Sequence, residues 1–263
     1  MHGMLTIYRR EIASMFLSPM AWVLLAIALL LNGIFFTEYL DQTGGDVSAS
    51  LGLALGGSWL FWGYLVMLPP LLTMRSISEE SRAGTLEYLL TAPVTDAAVI
   101  LGKFFASTTF LALLWLSVPI YALKIHTLGV APDWSGLIGI YLGSVLVSGL
   151  FVSIGLLSSS LTNIPIMAAF LAFIACLSWL LLGMLGSGLA SLATMALAPW
   201  PELLETVHFF IAEGITRANV VGHFQTSFRL GVFDSAEVIF FVTWTGFFLF
   251  LTVRSLEARR WRG

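Results

Sequence analysis

Histidine, cysteine and serine are the residues in this sequence that best suit metal binding or nucleophilic catalysis. The four histidines lie far apart in the chain and show none of the short spacings of zinc ligands. Ser58, Ser158–Ser160 and Ser187 have no histidine or lysine nearby in the sequence to activate them. The single cysteine, Cys176, excludes an intrachain disulfide bond. We therefore expect no catalytic residues and no metal site, and predict that the chain is not an enzyme. The histidines are His2, His126, His208 and His223.

Gly102 and Lys103 match the end of a phosphate-binding loop, a motif that also needs two further residues. A glycine must lie five positions before Gly102, and a serine or threonine must follow the lysine. Ala97 and Phe104 occupy those two positions here. The sequence therefore predicts that this chain binds no ATP by itself and holds no cofactor.

The composition indicates which kind of structural element carries these residues, because the chain is 58% hydrophobic and only 10% charged. A soluble domain has about 25% charged residues, so a soluble enzyme or binding domain is excluded. Six runs without any Asp, Glu, Lys, Arg or His predict an all-α membrane protein with six transmembrane helices. The fifth run extends to Trp200 with glycines inside it, which predicts a span followed by a short re-entrant or interfacial segment. The runs cover residues 20–37, 58–74, 104–123, 137–157, a stretch that starts at Ile164, and 238–253.

The basic residues predict how the six helices are oriented. If both termini are cytoplasmic, nine of the twelve Lys and Arg residues lie on the inner side. Only Lys124, Arg217 and Arg229 lie outside, as the positive-inside rule requires. We therefore expect a multi-pass protein of a bacterial inner (cytoplasmic) membrane with both termini cytoplasmic. The nine inner residues are Arg9, Arg10, Arg75, Arg82, Lys103, Arg254, Arg259, Arg260 and Arg262.

Residues 4–18 are too short and too charged to span a bilayer. Leu5, Tyr8, Ile12, Met15 and Phe16 recur at helical spacing, and Ser18-Pro19 ends the pattern. This arrangement predicts an amphipathic helix that lies in the membrane interface. An export signal that contains the paired arginines is the weaker alternative, because the flanking residues do not fit one. The polar side of the helix carries Arg9, Arg10, Glu11 and Ser14.

The connection 75–103 contains seven charged residues and is predicted to be cytoplasmic. Ser76 and Glu79 fit a capping box, so a helix is expected to begin there. Pro93 interrupts the pattern, and Thr95 or Asp96 is expected to cap the helix that enters the third span. Leu86, Leu89 and Leu90 give the segment an apolar side. These features fit either a helix that contacts a soluble partner or an ordinary connecting loop.

The external connection 187–237 contains two amphipathic stretches, at residues 203–215 and 218–229. It therefore predicts a helical external segment between spans five and six. Gly139 and Gly143 fit a small-residue pattern for helix packing, whereas Gly52 and Gly56 precede the second span and fit a flexible loop. No repeat or composition change divides the chain, so we expect a single transmembrane domain over residues 1–263.

The 75–103 connection also carries a family resemblance. Glu79-Glu80, Arg82, Gly84-Thr85, Glu87 and Pro93, followed by Gly102-Lys103, resemble the signature of ABC-2-type transporter permeases. The whole chain is similar to that family. The likeness extends to a gliding-motility-associated and copper-enzyme-maturation branch, because of residues 228–234 and the basic tail at Arg259-Arg260-Trp261.

This resemblance implies a permease subunit of an ATP-driven transporter, with export as the expected direction. The chain would pair with a second permease, the same or related, in membrane lipid. Separate ATPase subunits would hold ATP and Mg, and no nucleic acid is expected as a partner. The resemblance assigns contact with the ATPases to the N-terminal helix, with Arg9, Arg10 and Glu11, and to the 75–103 loop. The loop residues assigned to coupling are Glu79, Glu80, Arg82, Gly84, Thr85 and Glu87.

A second function stays open beside export. The chain could relay ATP hydrolysis to a periplasmic partner through residues 187–237, as a mechanotransmission subunit that moves no substrate. The sequence does not choose between the two functions. It also leaves open the cargo and whether the second permease is identical.

The predicted topology can be tested by labelling cysteines from one side of the membrane. In a Cys176→Ser background, Thr85→Cys should react with a membrane-impermeant maleimide only from the cytoplasmic side, because the 75–103 connection is predicted to lie there. The measurement is labelling of right-side-out and inverted vesicles. Labelling from the outside would contradict the whole topology.

Overall fold

The computed structural model describes residues 2–84, 94–127, 129, 131–197 and 199–260. Every regular element among them is helical, which confirms the all-α class. In chain order the elements are α1 (His2–Leu17), α2 (Pro19–Gln42), α3 (Val47–Gly52), a π-helical turn (Leu53–Gly57), α4 (Trp59–Thr73), α5 (Ser78–Arg82), α6 (Asp96–Trp115), α7 (Ser117–Thr127), α8 (Trp134–Leu161), α9 (Pro165–Leu180), α10 (Leu182–Leu197), α11 (Pro201–Ala218), α12 (Val220–Thr226), a 3-10 turn (Phe228–Leu230) and α13 (Ser235–Arg260).

Five helical segments of the described chain are long and apolar enough to cross a membrane. The structure therefore describes a multi-pass helical membrane protein. The predicted fifth span corresponds to α9, which has 16 residues and measures about 24 Å at 1.5 Å per residue. This length is less than the roughly 30 Å of a bilayer core, so the six-span count stays a prediction. The five segments are Ala21–Gln42, Trp59–Arg82, Asp96–Thr127, Trp134–Leu161 and Ser235–Ala258.

Local sequence signals explain where several helices begin. Pro19 is the first residue of α2, and Ser18 separates α2 from α1, as the Ser-Pro pair predicts. The Thr95 side chain accepts a hydrogen bond from the Ala98 amide at the start of α6, which confirms the predicted cap. Ser58 caps α4 in the same way through the Phe61 amide. These caps satisfy backbone donors that would otherwise be unpaired at the helix ends.

Helix α8 lies at the centre of the bundle and contacts α4, α6, α9 and α13. In its most apolar stretch 72% of the residues are buried, against 17% in α2 and 17% in α13. Around α8 the core contains large side chains such as Phe61, Trp115 and Phe151. We call the end of the bundle that contains α1 and α5 the junction end, and the end that contains α3, α10 and α11 the opposite end.

Glycines on one side of α8 allow very close contacts with the 3-10 turn. A Cβ atom on Gly139 would lie 2.1 Å from the Phe228 carbonyl oxygen, and one on Gly143 would lie 2.7 Å from the Phe228 Cβ. The predicted packing role of these glycines is confirmed, although their partner is this turn. The Gly52–Gly56 region is helical rather than a flexible loop, and Gly56 has a φ of +145°.

These contacts predict a position-dependent effect of adding one methyl group. Gly139→Ala should lower the thermal unfolding midpoint in detergent, because its Cβ would overlap backbone atoms. The control is Gly246→Ala in α13, where the new Cβ meets nothing within 4 Å. That change should leave the midpoint unchanged or raise it, since alanine is the better helix former by about 1 kcal/mol. Equal midpoints for the two variants would contradict the described packing.

Candidate functional site: a buried ionic junction

Three segments of the chain meet at the side chain of Lys103, near the start of α6. Its Nζ atom lies 3.1 Å from Glu11 Oε1 of α1 and 2.9 Å from Glu80 Oε1 of α5. The same ammonium group donates a hydrogen bond of 2.8 Å to the Ser76 carbonyl oxygen. Only 1% of the Lys103 side chain is exposed. A buried ammonium group needs such partners, because an unpaired charge in this environment is strongly unfavourable.

A second cation completes the arrangement. Arg10 Nη2 lies 2.6 Å from Glu11 Oε1 and 3.1 Å from Glu80 Oε1. Two cations therefore share two carboxylates, and the group is electrically neutral as a whole. We call Arg10, Glu11, Glu80 and Lys103 the Lys103 network. Its four members come from α1, α5 and α6, so it ties together segments that are far apart in the sequence.

The close contact of α1 with α6 brings Glu11 to Lys103. Ile7 of α1 is buried against Gly102, and a Cβ atom on Gly102 would lie 2.8 Å from Ile7 Cγ2. The missing side chain at Gly102 thus lets the two helices approach. Glu11 follows Ile7 by four residues and lies on the same side of α1. The sequence analysis assigned Glu11 to the polar side of the helix, and the structure corrects this assignment.

The network also determines the ionisation of Glu11. Burial by itself would raise the pKa of this carboxyl, but the Lys103 charge and the hydrogen bonds from Arg10 and Lys103 outweigh burial and hold the pKa below its ordinary value. The hydrogen bond to Glu11 raises the pKa of Arg10. Because its pKa is lowered in the folded protein, the Glu11 carboxylate stabilises the fold at pH values above the ordinary pKa of a glutamate. This stabilisation is lost as the pH falls through the lowered pKa. Glu11 and Arg10 therefore both stay ionised at neutral pH.

A second set of polar contacts fixes α5 to the end of α8. Ser159 Oγ accepts hydrogen bonds from the Ile77 and Ser78 amides, at 3.1 and 3.0 Å. Ser81 Oγ lies 2.9 Å from Asn163 Oδ1, just beyond α8. The predicted capping box of Ser76 and Glu79 is therefore wrong. Helix α5 begins at Ser78, and a side chain from a distant helix satisfies its first amides.

The predicted coupling residues divide into an outward and an inward group. Glu79 is 59% exposed and lies 4.0 Å from Arg75, and Arg82 and Gly84 are exposed as well. Gly84 has a φ of +69°, a conformation that favours glycine. Glu80 points inward to the Lys103 network. Arg9 on α1 is also exposed, whereas Thr85 and Glu87 lie outside the described residues.

The opposite end of the bundle carries a helical hairpin formed by α10 and α11. The two helices pack mainly against each other, and Gly186 allows this, since a Cβ there would lie 2.0 Å from the Ile215 side chain. Trp179 at the end of α9 donates a 2.7 Å hydrogen bond to the Ala218 carbonyl oxygen at the hairpin's base. The amphipathic stretches predicted at 203–215 and 218–229 correspond to α11 and to α12 with the 3-10 turn.

Within the described residues, no group of three or more His, Cys, Asp or Glu side chains is placed to hold a metal ion. The shortest acid–histidine contact there joins His223 of α12 and Glu237 of α13, beside the ring of Phe240. This pair connects two helices, and the other ring nitrogen of His223 lies 3.3 Å from the Arg217 carbonyl oxygen rather than beside a nucleophile. The ionic junction at Lys103 is thus the most extensive charged site of the described chain.

A family profile described as ABC-2 family transporter protein matches residues 5–259 of this chain. The chain belongs to the ABC-2 family. The match begins within α1 and ends within α13, so the junction and the hairpin both lie inside the matched region. No curated protein matches the chain at a significant level. The more specific branch assignment therefore stays a prediction.

Membership in the ABC-2 family settles the class of the protein. Such chains are membrane permease components of ABC transporters, they are generally non-catalytic, and they associate with ABC ATPase subunits. The multi-pass helical structure agrees with this class. Sequence reasoning found the loop that carries Glu80, but it missed the ionic partners of that residue. The available signal was Lys103, the one charged residue between Asp96 and Lys124.

Replacing the buried ammonium group should destabilise the junction end. Lys103→Met leaves two largely buried carboxylates with only Arg10 as a partner, at a cost of roughly 3–5 kcal/mol. The thermal unfolding midpoint in detergent should fall by several degrees, at about 2–4 °C per kcal/mol. The matched control is Lys124→Met at the exposed end of α7, which should leave the midpoint unchanged.

A second change separates lost charge from lost packing. Adding Glu80→Gln to Lys103→Met removes one of the unpaired carboxylates, so the double variant should recover part of the lost stability. Additive losses in the double variant would show that the two residues do not interact.

Proposed function

We propose that this chain is the permease subunit of an ATP-driven exporter, and that the junction end is the surface on which the ATPase subunits act. Membership in the ABC-2 family supports the class of transporter. The observation that carries the coupling role is the double attachment of α5. This five-residue helix is bound to α8 through Ser159. Its Glu80 side chain binds it to α1 through Arg10 and to α6 through Lys103.

The double attachment supports a mechanical route from the surface to the centre of the bundle. A helix of five residues has no stability of its own, so its position is imposed by its neighbours. A force on the exposed side chains of α5 is therefore transmitted to those neighbours. One of them is α8, which contacts most of the other spanning helices. ATP-driven closure of the ATPases would then change helix packing between two discrete arrangements.

The proposed orientation places the junction end in the cytoplasm. Nine of the twelve Lys and Arg residues belong to segments at that end under this assignment, in keeping with the positive-inside rule. Both termini are then cytoplasmic, α9 serves as a sixth and short span, and the α10–α11 hairpin lies outside. The membrane is proposed to be a bacterial inner membrane. ATP and Mg are held by the ATPase subunits.

Exposed apolar surfaces on α2 and α13 support a partner within the membrane. Each of these helices is 17% buried in its most apolar stretch, so lipid or a second permease must cover the remainder. The proposed assembly contains two permeases, identical or related, and two ATPases. The exposed side chains include Trp22, Val23, Ile27, Leu30 and Ile34 on α2, and Ile239, Val242 and Phe250 on α13.

The α10–α11 hairpin favours a second candidate function. It is attached at its base and presents apolar side chains such as Leu189, Leu192 and Met195. A periplasmic partner that binds this surface could receive the movement without any substrate crossing the membrane. Recovery of a stable periplasmic partner, together with ATPase activity that no candidate substrate stimulates, would favour mechanotransmission over export.

The proposed ATPase contact can be tested at Arg82, which is exposed and lies outside the Lys103 network. Arg82→Glu should lower the amount of ATPase that co-purifies with the permease by roughly 2- to 10-fold, because it reverses a charge at the proposed interface. The matched control is Arg254→Glu near the end of α13, where the arginine is 61% exposed. Undiminished co-purification of the ATPase with Arg82→Glu would contradict the proposed docking surface.

A further inference from the structure

A cleft of about 460 Å³ lies beside the Lys103 network, between α1, the start of α2 and the end of α4. Its volume falls within the range of small-molecule sites, roughly 300–1,000 Å³. Neither the family match nor the coupling role accounts for an open space at this position. Besides the four members of the Lys103 network, its lining includes Ala21, Leu24, Leu72, Arg75, Ser76 and Glu79.

The walls of the cleft change from apolar to polar along its length. Ala21, Leu24 and Leu72 belong to the two apolar segments that are long enough to span a membrane. Arg10 belongs to α1, which precedes the first of these segments, and Arg75 lies two residues beyond the end of α4. The cleft therefore crosses the level at which spanning helices leave the bilayer core, which is the depth of lipid headgroups. An occupant must be amphipathic to match both walls.

The charges of the cleft indicate a zwitterionic occupant. Arg10, Glu11, Glu80 and Lys103 neutralise one another within the network. The remaining charges in the lining are those of Arg75 and Glu79, which are 58% and 59% exposed and approach only to 4.0 Å. Outside the network, one positive and one negative group thus stay accessible at the polar wall, while the half-exposed guanidinium group of Arg10 is already paired with Glu11 and Glu80. A purely anionic headgroup would face Glu79 without compensation.

Hydrogen-bonding groups at the same polar wall indicate which zwitterionic headgroup fits the cleft. The guanidinium group of Arg75 can donate two parallel bonds to a phosphate. Ser76 also lines the cleft, and its hydroxyl is buried without a hydrogen-bond partner among the described residues. The Glu79 carboxylate can accept a hydrogen bond from a primary ammonium group, which a quaternary ammonium group cannot donate. These groups distinguish ethanolamine from choline headgroups.

We propose that this cleft binds an ethanolamine phospholipid from the adjoining leaflet. Arg75 holds the phosphate, Glu79 accepts a hydrogen bond from the ammonium group, and an acyl chain lies along Leu24 and Leu72. The bound lipid fills the space between α1 and α4 and contacts the network that positions Glu80. This site requires only that the junction end lies at a membrane surface, so it does not depend on the proposed ATPase coupling.

Native mass spectrometry of the purified permease tests the proposal directly. The delipidated protein is offered phosphatidylethanolamine, phosphatidylcholine and phosphatidylglycerol with identical acyl chains at equal concentrations. Ethanolamine lipid should be retained several-fold more than the other two. Arg75→Gln and Glu79→Gln should each lower its retention by roughly tenfold, since each removes a charge-assisted hydrogen bond. Equal retention of the three lipids, or a preference for phosphatidylglycerol, would overturn the proposal.

Matched variants exclude a general effect of surface charge. Arg254→Gln and Glu257→Gln remove a comparable exposed ion pair on α13, outside the cleft, and should leave lipid retention unchanged. All four residues are more than a third exposed, so these variants are expected to fold, and their unfolding midpoints check this. Loss of retention in the α13 variants as well would refute a site at this cleft.

Two further measurements identify whether the cleft binds a lipid, a soluble phosphoester or a protein. Glycerophosphoethanolamine, which lacks acyl chains, should not displace the lipid at equal concentration; displacement would assign the cleft to a soluble phosphoester instead. An Arg75→Gln variant that loses ATPase co-purification while it keeps its lipid would assign the cleft to protein contact. Lost lipid retention with normal ATPase binding supports the lipid site even if the Arg82 test fails.

Discussion

The arrangement of the junction end depends on one constraint, the burial of the Lys103 ammonium group. A charge that is 1% exposed must be neutralised within the protein, and its partners come from α1, α5 and the Ser76 backbone. Apolar helix surfaces in a membrane gain little from contacting each other rather than lipid, so polar contacts have a large part in deciding which helices meet. The requirement to pair this ammonium group therefore specifies where α1 and α5 lie against α6.

The same constraint connects the surface of the protein with its centre. Glu80 faces inward to Lys103 while its neighbour Glu79 faces outward, so one short helix presents a surface and is anchored beneath it. Ser159 of α8 supplies the second anchor, through two amides of the same segment. Each anchor alone would allow α5 to pivot about it. Together they make α5 move with α1, α6 and α8. A coupling element requires this property.

Sequence patterns predicted the features that depend on neighbouring residues. The Ser18-Pro19 boundary, the Thr95 cap and the helical class depend on local chemistry, and the structure contains all three. The capping box at Ser76 failed because Ser159, more than eighty residues away, satisfies the amides instead. The side of α1 that packs was also misjudged, because lipid-facing and protein-facing positions are equally apolar. Leu5 is exposed, whereas the charged Glu11 is largely buried.

Distances between spin labels on α1 and α5 test the central claim that the Lys103 network makes these segments move as one body. Labels at Ala13 of α1 and at Ala83, directly after α5, in a Cys176→Ser background, report on two exposed positions that lie outside the network. In the complex with its ATPases, the distance should be the same without nucleotide and with ATP. With Lys103→Met, the distance distribution should broaden and depend on nucleotide. A distance that changes with ATP in the intact network, or a narrow distribution that survives Lys103→Met, would contradict the claim.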